Sequence, residues 1–248
     1  MGIPNHYSAE LPDRCMALID WLLPVVRGEA NVVPRRTGPE APPRAVVASP
    51  APRYGGPLTT TFLLALATPM ILLPIERVLR ADEQGEPYID DRSLDPDLAA
   101  AIRAGLGAGP LRNVEFFIPG AWSFAQFDYR GENLADSFPD RFTEALVKPD
   151  AQLAAARMER SQWASTLRNA LGHGGVFYLD AEGRHPWGGV AEGLAFVSAK
   201  YPNRDTKLAP THLNVLRISE GDFLTFLRRW AQWLKSSGLS QHMAQAAA

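Results

Sequence analysis

The sequence predicts a mainly α-helical fold: a bundle of four to five helices with a small β-hairpin insertion near its end. Several segments repeat apolar residues at helical spacing, and two neighbouring segments joined by a turn-rich stretch have the pattern of a hairpin. Apolar residues make up 46% of the 248 residues, which is enough for a sizeable core. This length suits one large domain or two small ones, and we predict a single domain over residues 1–238.

The first helix is predicted over residues 13–27, where apolar residues recur on one face and Gly28 follows as a terminator. Cys15, the single cysteine, falls within this apolar pattern and is expected to be a buried, inert thiol. Residues 28–57 hold seven prolines, so we expect a Pro-rich loop there rather than a separate domain.

The second helix is predicted from Thr59–Thr61 to about Arg80. Its uncharged run, Phe62–Ile75, has 14 residues and is interrupted by Pro69 and Pro74. Roughly 20 apolar residues are needed to cross a bilayer. We therefore expect a buried core helix with a proline kink and no membrane partner.

The middle of the chain is less regular. A third helix is predicted over Pro96–Ala104, with proline at its first position. Residues 111–148 stay open between alternatives. The segment LRNVEFF fits a short strand or a helical turn, WSFAQFDY alternates as a strand does, and Asp140–Val147 is weakly helical.

A fourth helix is predicted to run without a break from Pro149 or Asp150 to about Gly172. Asp150 suits the N-cap position, and the glycines that follow Leu171 suit the C-terminal end. The predicted core stripe of this helix consists of Leu153, Trp163, Leu167 and Leu171.

Two strands are predicted after this helix, over Leu194–Tyr201 and His212–Ser219. The stretch between them is rich in turn-forming residues, so the two strands should pair as a hairpin. We expect residues 192–219 to form an insertion into the helical bundle.

The last helix is predicted to begin at a capping box that runs from Ser219 to Asp222. Gly238 should end this helix, and residues 239–248 are expected to be a flexible tail. The predicted apolar face consists of Phe223, Phe226, Leu227, Trp230, Trp233 and Leu234.

The charge balance argues against a general polyanion binder. The chain has 25 Lys and Arg against 27 Asp and Glu, a net charge of −2. The charges are unevenly distributed, because residues 1–140 carry a net −6 and residues 141–248 a net +4. The basic excess in residues 141–248 is compatible with one local site that engages a few phosphates.

The polar first ten residues do not form a secretory leader, so a cytoplasmic protein is predicted.

One short polar cluster stands out as a candidate site. The sequence contains no HExxH, Gly-x-Ser-x-Gly or P-loop motif, and a single cysteine excludes a multi-thiolate metal site. At the end of the fourth helix, Arg168, Asn169 and His173 all lie off the predicted core stripe. Asn169 and His173 are four residues apart and can touch.

These residue types suit phosphodiester chemistry in RNA. A neutral His173 can accept the proton of a ribose 2′-hydroxyl, and a protonated histidine can supply one to the leaving oxygen. Arg168 can hold the scissile phosphate through two hydrogen bonds. Because the 2′-hydroxyl is itself the nucleophile, no metal or other cofactor is needed.

The string RNALGHG resembles the Arg-x(4–6)-His signature of the HEPN superfamily, with Arg168, Asn169 and His173 at the matching positions. The apolar stretch TTTFLLALATPMILLPIERV is similar to a helix of one HEPN branch. The resemblance implies a HEPN-like helical bundle that dimerises. It also implies a metal-independent endoribonuclease with its site at the dimer interface, acting as a toxin or phage-defence effector with RNA and an antitoxin protein as partners.

Two alternatives stay open for this cluster. Some HEPN members have lost catalysis, so the resemblance also allows an inactive module that binds a nucleotide or a partner protein. Arg168, Asn169 and His173 are equally compatible with a solvated helix face that ends in a cationic cap.

Other polar and aromatic residues are weaker candidates. The segment from His185 to Trp187 suits either stacking on RNA or a packed loop. Asp180 suits either a turn cap or the orientation of His173. His212 is expected to be structural.

Overall fold

The computed structural model describes residues 5–29, 58–82, 105–135, 137–202 and 208–237. Within these ranges the chain forms six α-helices and four β-strands. The elements are, in chain order, α1 (Asn5–Val26), α2 (Thr59–Asp82), β1 (Trp122–Asp128), α3 (Asp140–Leu146), α4 (Pro149–Arg157), α5 (Arg160–His173), β2 (Val176–Leu179), β3 (Gly193–Lys200), β4 (His212–Ser219) and α6 (Glu220–Ser236).

The four strands form one antiparallel sheet in the order β1-β4-β3-β2. The predicted β3–β4 hairpin is confirmed, with Gly193 opposite Ser219 and Lys200 opposite His212. This hairpin is the centre of the sheet, however, and not an insertion into a bundle. The prediction of a mainly α-helical, HEPN-like bundle is therefore wrong, because the described residues form a mixed α/β fold.

Both faces of the sheet are covered. One face packs into the main core against the helices through Leu194, Phe196, Leu216 and Ile218. The other face packs against α3 and the residues before it through Ala195, Val197, Leu213 and Val215. Because the central strands are buried on both sides, β3 is continuously apolar from Leu194 to Val197.

The main core contains a cluster of aromatic rings. Trp163 of α5 is fully buried, and its ring centroid lies within 6.0 Å of those of Phe116, Trp122, Phe226 and Trp230. Such pairs contribute about 0.5–1.5 kcal/mol each beyond the burial of their area. The cluster therefore locks α5 against α6 and the sheet.

The last helix agrees with its prediction. All six residues of the predicted apolar face are buried. Ser219 is the N-cap, and its Oγ accepts the backbone N–H of Asp222 at 3.1 Å. The described helix ends at Ser236, and Gly238 with the predicted flexible tail 239–248 lies outside the described residues.

The first two helices are also confirmed. Helix α1 begins eight residues earlier than predicted and is followed by Gly28 at a φ of +75°. Cys15 is buried, and this burial raises the pKa of its thiol. Helix α2 contains Pro69 and Pro74 in its interior and packs against α1 and α5.

The prediction of one continuous fourth helix is wrong, because the chain forms two helices there, α4 and α5. Part of the predicted core stripe is wrong as well. Met158 and Glu159 are extended, with ψ of 151° and 137°. At this break Leu111 donates its N–H to the carbonyl of Met158 at 2.9 Å, and Arg160 donates to the carbonyl of Gly109 at 2.9 Å. These long-range bonds replace the helical ones.

The same break changes which residues of this region are buried. Helix α4 begins with Lys148 as N-cap rather than the predicted Asp150. Leu153 is 51% exposed, so it does not belong to the core stripe. Trp163 and Leu167 are fully buried, as predicted.

Residues 111–148, for which the sequence left alternatives, contain a short 3-10 turn at Leu111–Asn113, strand β1 and helix α3. Strand β2 was not predicted, because its four residues are too few for an alternating pattern. The predicted third helix and all but the first two residues of the Pro-rich loop 28–57 lie outside the described residues.

Candidate functional site

Helix α5 ends where the candidate motif ends. His173 is its last residue, and Gly174 follows in the left-handed region at φ 74°. The N–H of Gly175 returns to the carbonyl of Ala170 at 2.8 Å, which is a common helix-terminating bond. The motif therefore occupies the C-terminal turn of a helix whose opposite face is buried.

The chain turns sharply from this helix into the sheet at Gly175. The N–H of Val197 donates to the carbonyl of Gly175 at 2.7 Å. A Cβ atom on residue 175 would lie 2.3 Å from the carbonyl oxygen of Val197. Only glycine allows this approach, so Gly175 sets the position of the motif relative to β3.

Arg168 is held by two partners. Its Nε donates to Oε1 of Glu76 on α2, and its Nη1 donates to Oδ1 of Asn169 at 3.0 Å. The Arg168 and Glu76 side chains are 34% and 25% exposed. The guanidinium is thus fixed near the surface by contacts at two of its nitrogens, Nε and Nη1.

Asn169 continues this chain of contacts towards the sheet. Its Nδ2 donates to Oγ of Ser198 at 3.1 Å, and Ser198 is buried in β3. Asn169 therefore uses both ends of its amide, one for Arg168 and one for Ser198. The four polar side chains connect α2, α5 and β3.

His173 is placed differently. It is exposed, and within the described ranges its ring forms no hydrogen bond or ion pair. The expected contact between Asn169 and His173 is not formed, because the Asn169 amide is taken by Arg168 and Ser198. The fold thus brings Arg168 and Asn169 together and leaves His173 facing solvent one turn further on.

Glu76 and Ser198 were not predicted as members of this site. The sequence places Glu76 directly after the apolar run of α2, where a partly buried carboxylate needs a cation. That signal could have indicated an ion pair, but it does not identify the cation. Ser198 gives no such signal, because it directly follows the apolar run from Leu194 to Val197.

The weaker candidates each have a local partner outside the motif. Asp180 caps a turn, because its Oδ1 accepts the N–H of Arg184 at 2.8 Å, and it makes no contact with His173. His212 pairs with Asp128 across the sheet, with 3.2 Å between Nε2 and Oδ1. His185 accepts the N–H of Trp187 at its Nδ1, at 3.1 Å.

The part of the chain that the structure describes contains no group of three or more His, Cys, Asp or Glu suited to a metal ion. Residues Thr59–Glu76 of α2 are long and apolar enough to cross a membrane by length and composition alone. In the fold this helix buries Leu63, Ala67 and Ile71 completely, as core helices do.

Comparison of the chain with protein-family models, curated proteins and solved structures finds no match. The geometry around Arg168 and the chemistry of its neighbours are therefore the evidence for a function.

Proposed function

We propose that this protein is an endoribonuclease that cleaves RNA without a metal ion, with Arg168, Asn169 and His173 at its site. The observation that supports the proposal is the fixed guanidinium of Arg168 in the last turns of α5, which ends in the exposed His173. A cation that cannot rotate away and an imidazole open to solvent are the two groups that this reaction needs.

Each residue has a defined role in the proposed reaction. His173 accepts the proton of the ribose 2′-hydroxyl, and the 2′-oxygen forms a bond to phosphorus. The bond from phosphorus to the 5′-oxygen breaks, and that oxygen takes a proton from a protonated histidine. The products are a 2′,3′-cyclic phosphate and a 5′-hydroxyl, so atoms and protons balance.

Arg168 stabilises the charge that develops on the phosphate. The contacts within the described chain use its Nε and Nη1, and we assign Nη2 to a phosphate oxygen. Asn169 is a positioning residue, because it holds Nη1 and is itself held by Ser198. Glu76 fixes the other edge of the same guanidinium.

The reaction needs both an acid and a base, and each chain supplies one His173. We therefore propose that two copies of the protein place two His173 and two Arg168 in one cleft. A monomer at micromolar concentration in light scattering would contradict this part of the proposal.

The direct test incubates single-stranded RNA with the wild type, His173→Ala and Arg168→Ala in the presence of EDTA. We expect cleavage by the wild type, loss of at least a hundredfold in both variants, and 2′,3′-cyclic phosphate ends. Arg157→Ala, an exposed arginine on α4, is the matched control and should cleave normally. Equal cleavage by all four proteins would refute the proposal, and strict metal dependence would refute the mechanism.

The second candidate function is a module that binds a nucleotide or a partner protein without catalysis. The observation in its favour is the ion pair, because the Glu76 carboxylate already neutralises Arg168 and competes with a phosphate. This function predicts RNA or nucleotide binding that His173→Ala leaves unchanged, with no cleavage. An antitoxin partner, a role in defence and a cytoplasmic location stay predictions.

A further inference from the structure

A cavity of about 360 Å³ lies between the N-terminal end of α2, strand β2 and the loop that follows β2. Its lining includes Leu58, Thr61, Tyr178, His185 and Pro186. Its volume falls within the range of small-molecule sites. No Asp, Glu, Lys or Arg belongs to its lining within the described chain, so it suits an uncharged group.

The loop beside this cavity contains a strained turn. The N–H of Gly189 donates to the carbonyl of Pro186 at 2.7 Å, and the two residues between them have positive φ: 46° at Trp187 and 86° at Gly188. This is the pattern of a type I′ turn, whose central positions favour Asn, Asp and Gly. In the described residues, Trp187 is the one non-glycine residue with positive φ.

The strained turn holds an indole ring in solvent. The Trp187 side chain is 73% exposed, yet its ring centroid lies 4.6 Å from that of His185. The backbone N–H of Trp187 donates to Nδ1 of His185 at 3.1 Å. This bond makes Nδ1 the acceptor, so the neutral His185 ring carries its proton on Nε2 as a donor.

Neither packing nor turn chemistry explains a tryptophan at this position. Because most of the Trp187 side chain is exposed, its burial contributes little to the free energy of folding. Asparagine would fit this backbone conformation with less strain. Strain of this kind is retained where the side chain serves binding. The indole of Trp187 is not part of the cavity lining, but Pro186 and Gly188 on either side of it are. His185 and the hydroxyl-bearing Thr61 and Tyr178 also line the cavity. An exposed indole next to this uncharged, hydroxyl-bearing lining suits one chemical class: a planar, neutral, polar ring.

We infer that a nucleobase binds at the edge of the cavity, stacked on the solvent-exposed indole of Trp187 and hydrogen-bonded by Nε2 of His185, which belongs to the cavity lining. The base can belong to a free nucleotide or to an RNA strand, and assignment to the substrate strand rests on the proposed endoribonuclease function. Thr60 at the cavity and Glu76 at the candidate site are sixteen residues apart on α2, about 24 Å at 1.5 Å per residue. An RNA strand that filled both sites would span several nucleotides.

The experiment measures binding by calorimetry with three probes: adenosine, AMP and a 2′-O-methyl hexa-adenylate that cannot be cleaved through a 2′-hydroxyl. The variants are Trp187→Asn and His185→Phe. Trp21→Ala is the matched control, because Trp21 is 69% exposed on α1. We expect binding at least tenfold weaker in both loop variants and unchanged in the control.

The Trp187→Asn variant also separates binding from folding. Asparagine suits a positive φ, so the melting temperature of this variant should equal or exceed that of the wild type while binding is lost.

The three probes distinguish the possible sources of the base. Tighter binding of the hexa-adenylate than of adenosine would support an RNA strand. Equal binding of adenosine and AMP, with no gain for the oligomer, would support a free nucleotide. Absence of saturable binding of all probes at millimolar concentration, or equal binding by Trp187→Asn, would overturn the inference. Base binding without any His173-dependent cleavage would refute the nuclease and leave this site intact.

Discussion

The Nε of Arg168 on α5 donates to Oε1 of Glu76 on α2, across 92 residues of sequence. Asn169 holds the same guanidinium from a second direction and is anchored on Ser198. The cation at the candidate site is therefore positioned by three different elements of the fold. Cleavage assays can test the effect of this arrangement on the proposed site, and unfolding measurements can test its effect on stability.

Glu76→Gln should reduce the rate of RNA cleavage by about tenfold or more, because the amide no longer fixes the charge of Arg168. Loss of a partly exposed ion pair should cost only about 0.5–1 kcal/mol in the free energy of unfolding. Cleavage assays and urea denaturation on the same samples measure both effects. Glu10→Gln, which breaks the exposed pair with Arg14, is the control and should cleave normally. Faster cleavage by Glu76→Gln would show that Glu76 inhibits the site.

Gly175→Ala and Gly172→Ala should change stability in opposite directions. A Cβ at residue 175 would meet the Val197 carbonyl at 2.3 Å, so Gly175→Ala should lose about 2–4 kcal/mol or fail to fold. Residue 172 is helical with open space around it, so Gly172→Ala should gain about 0.5–1 kcal/mol. Urea unfolding followed by circular dichroism measures both. Equal stability of the two variants would contradict the described approach of α5 to β3.

Ser219→Ala should lower the free energy of unfolding by about 1 kcal/mol, because its Oγ caps α6 by accepting the N–H of Asp222. Thr225→Ala on the same helix is the control. Thr225 is exposed and in the helix interior, where alanine has the higher helix propensity, so stability should be unchanged or slightly raised. Thermal unfolding distinguishes the two. A larger loss in Thr225→Ala would show that Ser219 does not cap the helix.

The burial of Cys15 predicts a pH dependence of stability. Burial raises the pKa of the thiol, so the folded protein keeps Cys15 neutral where the unfolded chain has begun to ionise. The stabilising contribution of the neutral thiol is fully present below the pKa of a cysteine in the unfolded chain, about 8.5. This contribution is lost as the pH rises above that value. The free energy of unfolding should therefore fall more steeply above this pH in the wild type than in Cys15→Ala. Parallel curves for the two proteins would contradict the burial.

Elements that carry a complete local signal could be predicted from the sequence. Helix α6 has its cap, Ser219, and its apolar stripe within 17 residues. The end of α5 has its glycines next to His173, and the β3–β4 hairpin has two strand-forming segments joined by a turn-rich stretch. Each of these signals is formed by neighbours in the chain, so no knowledge of the fold is required to detect them.

The tertiary structure alone decided the remaining features. The break between α4 and α5 depends on backbone bonds from Gly109 and Leu111, which replace helical bonds that the local sequence would otherwise form. Strand β2 exists because β3 offers its edge, and the sheet that results overturned the predicted helical bundle. The pairing of Arg168 with Glu76 could not be predicted from the sequence either. A partly buried charge indicates that a partner is needed, but only tertiary packing selects which residue supplies it.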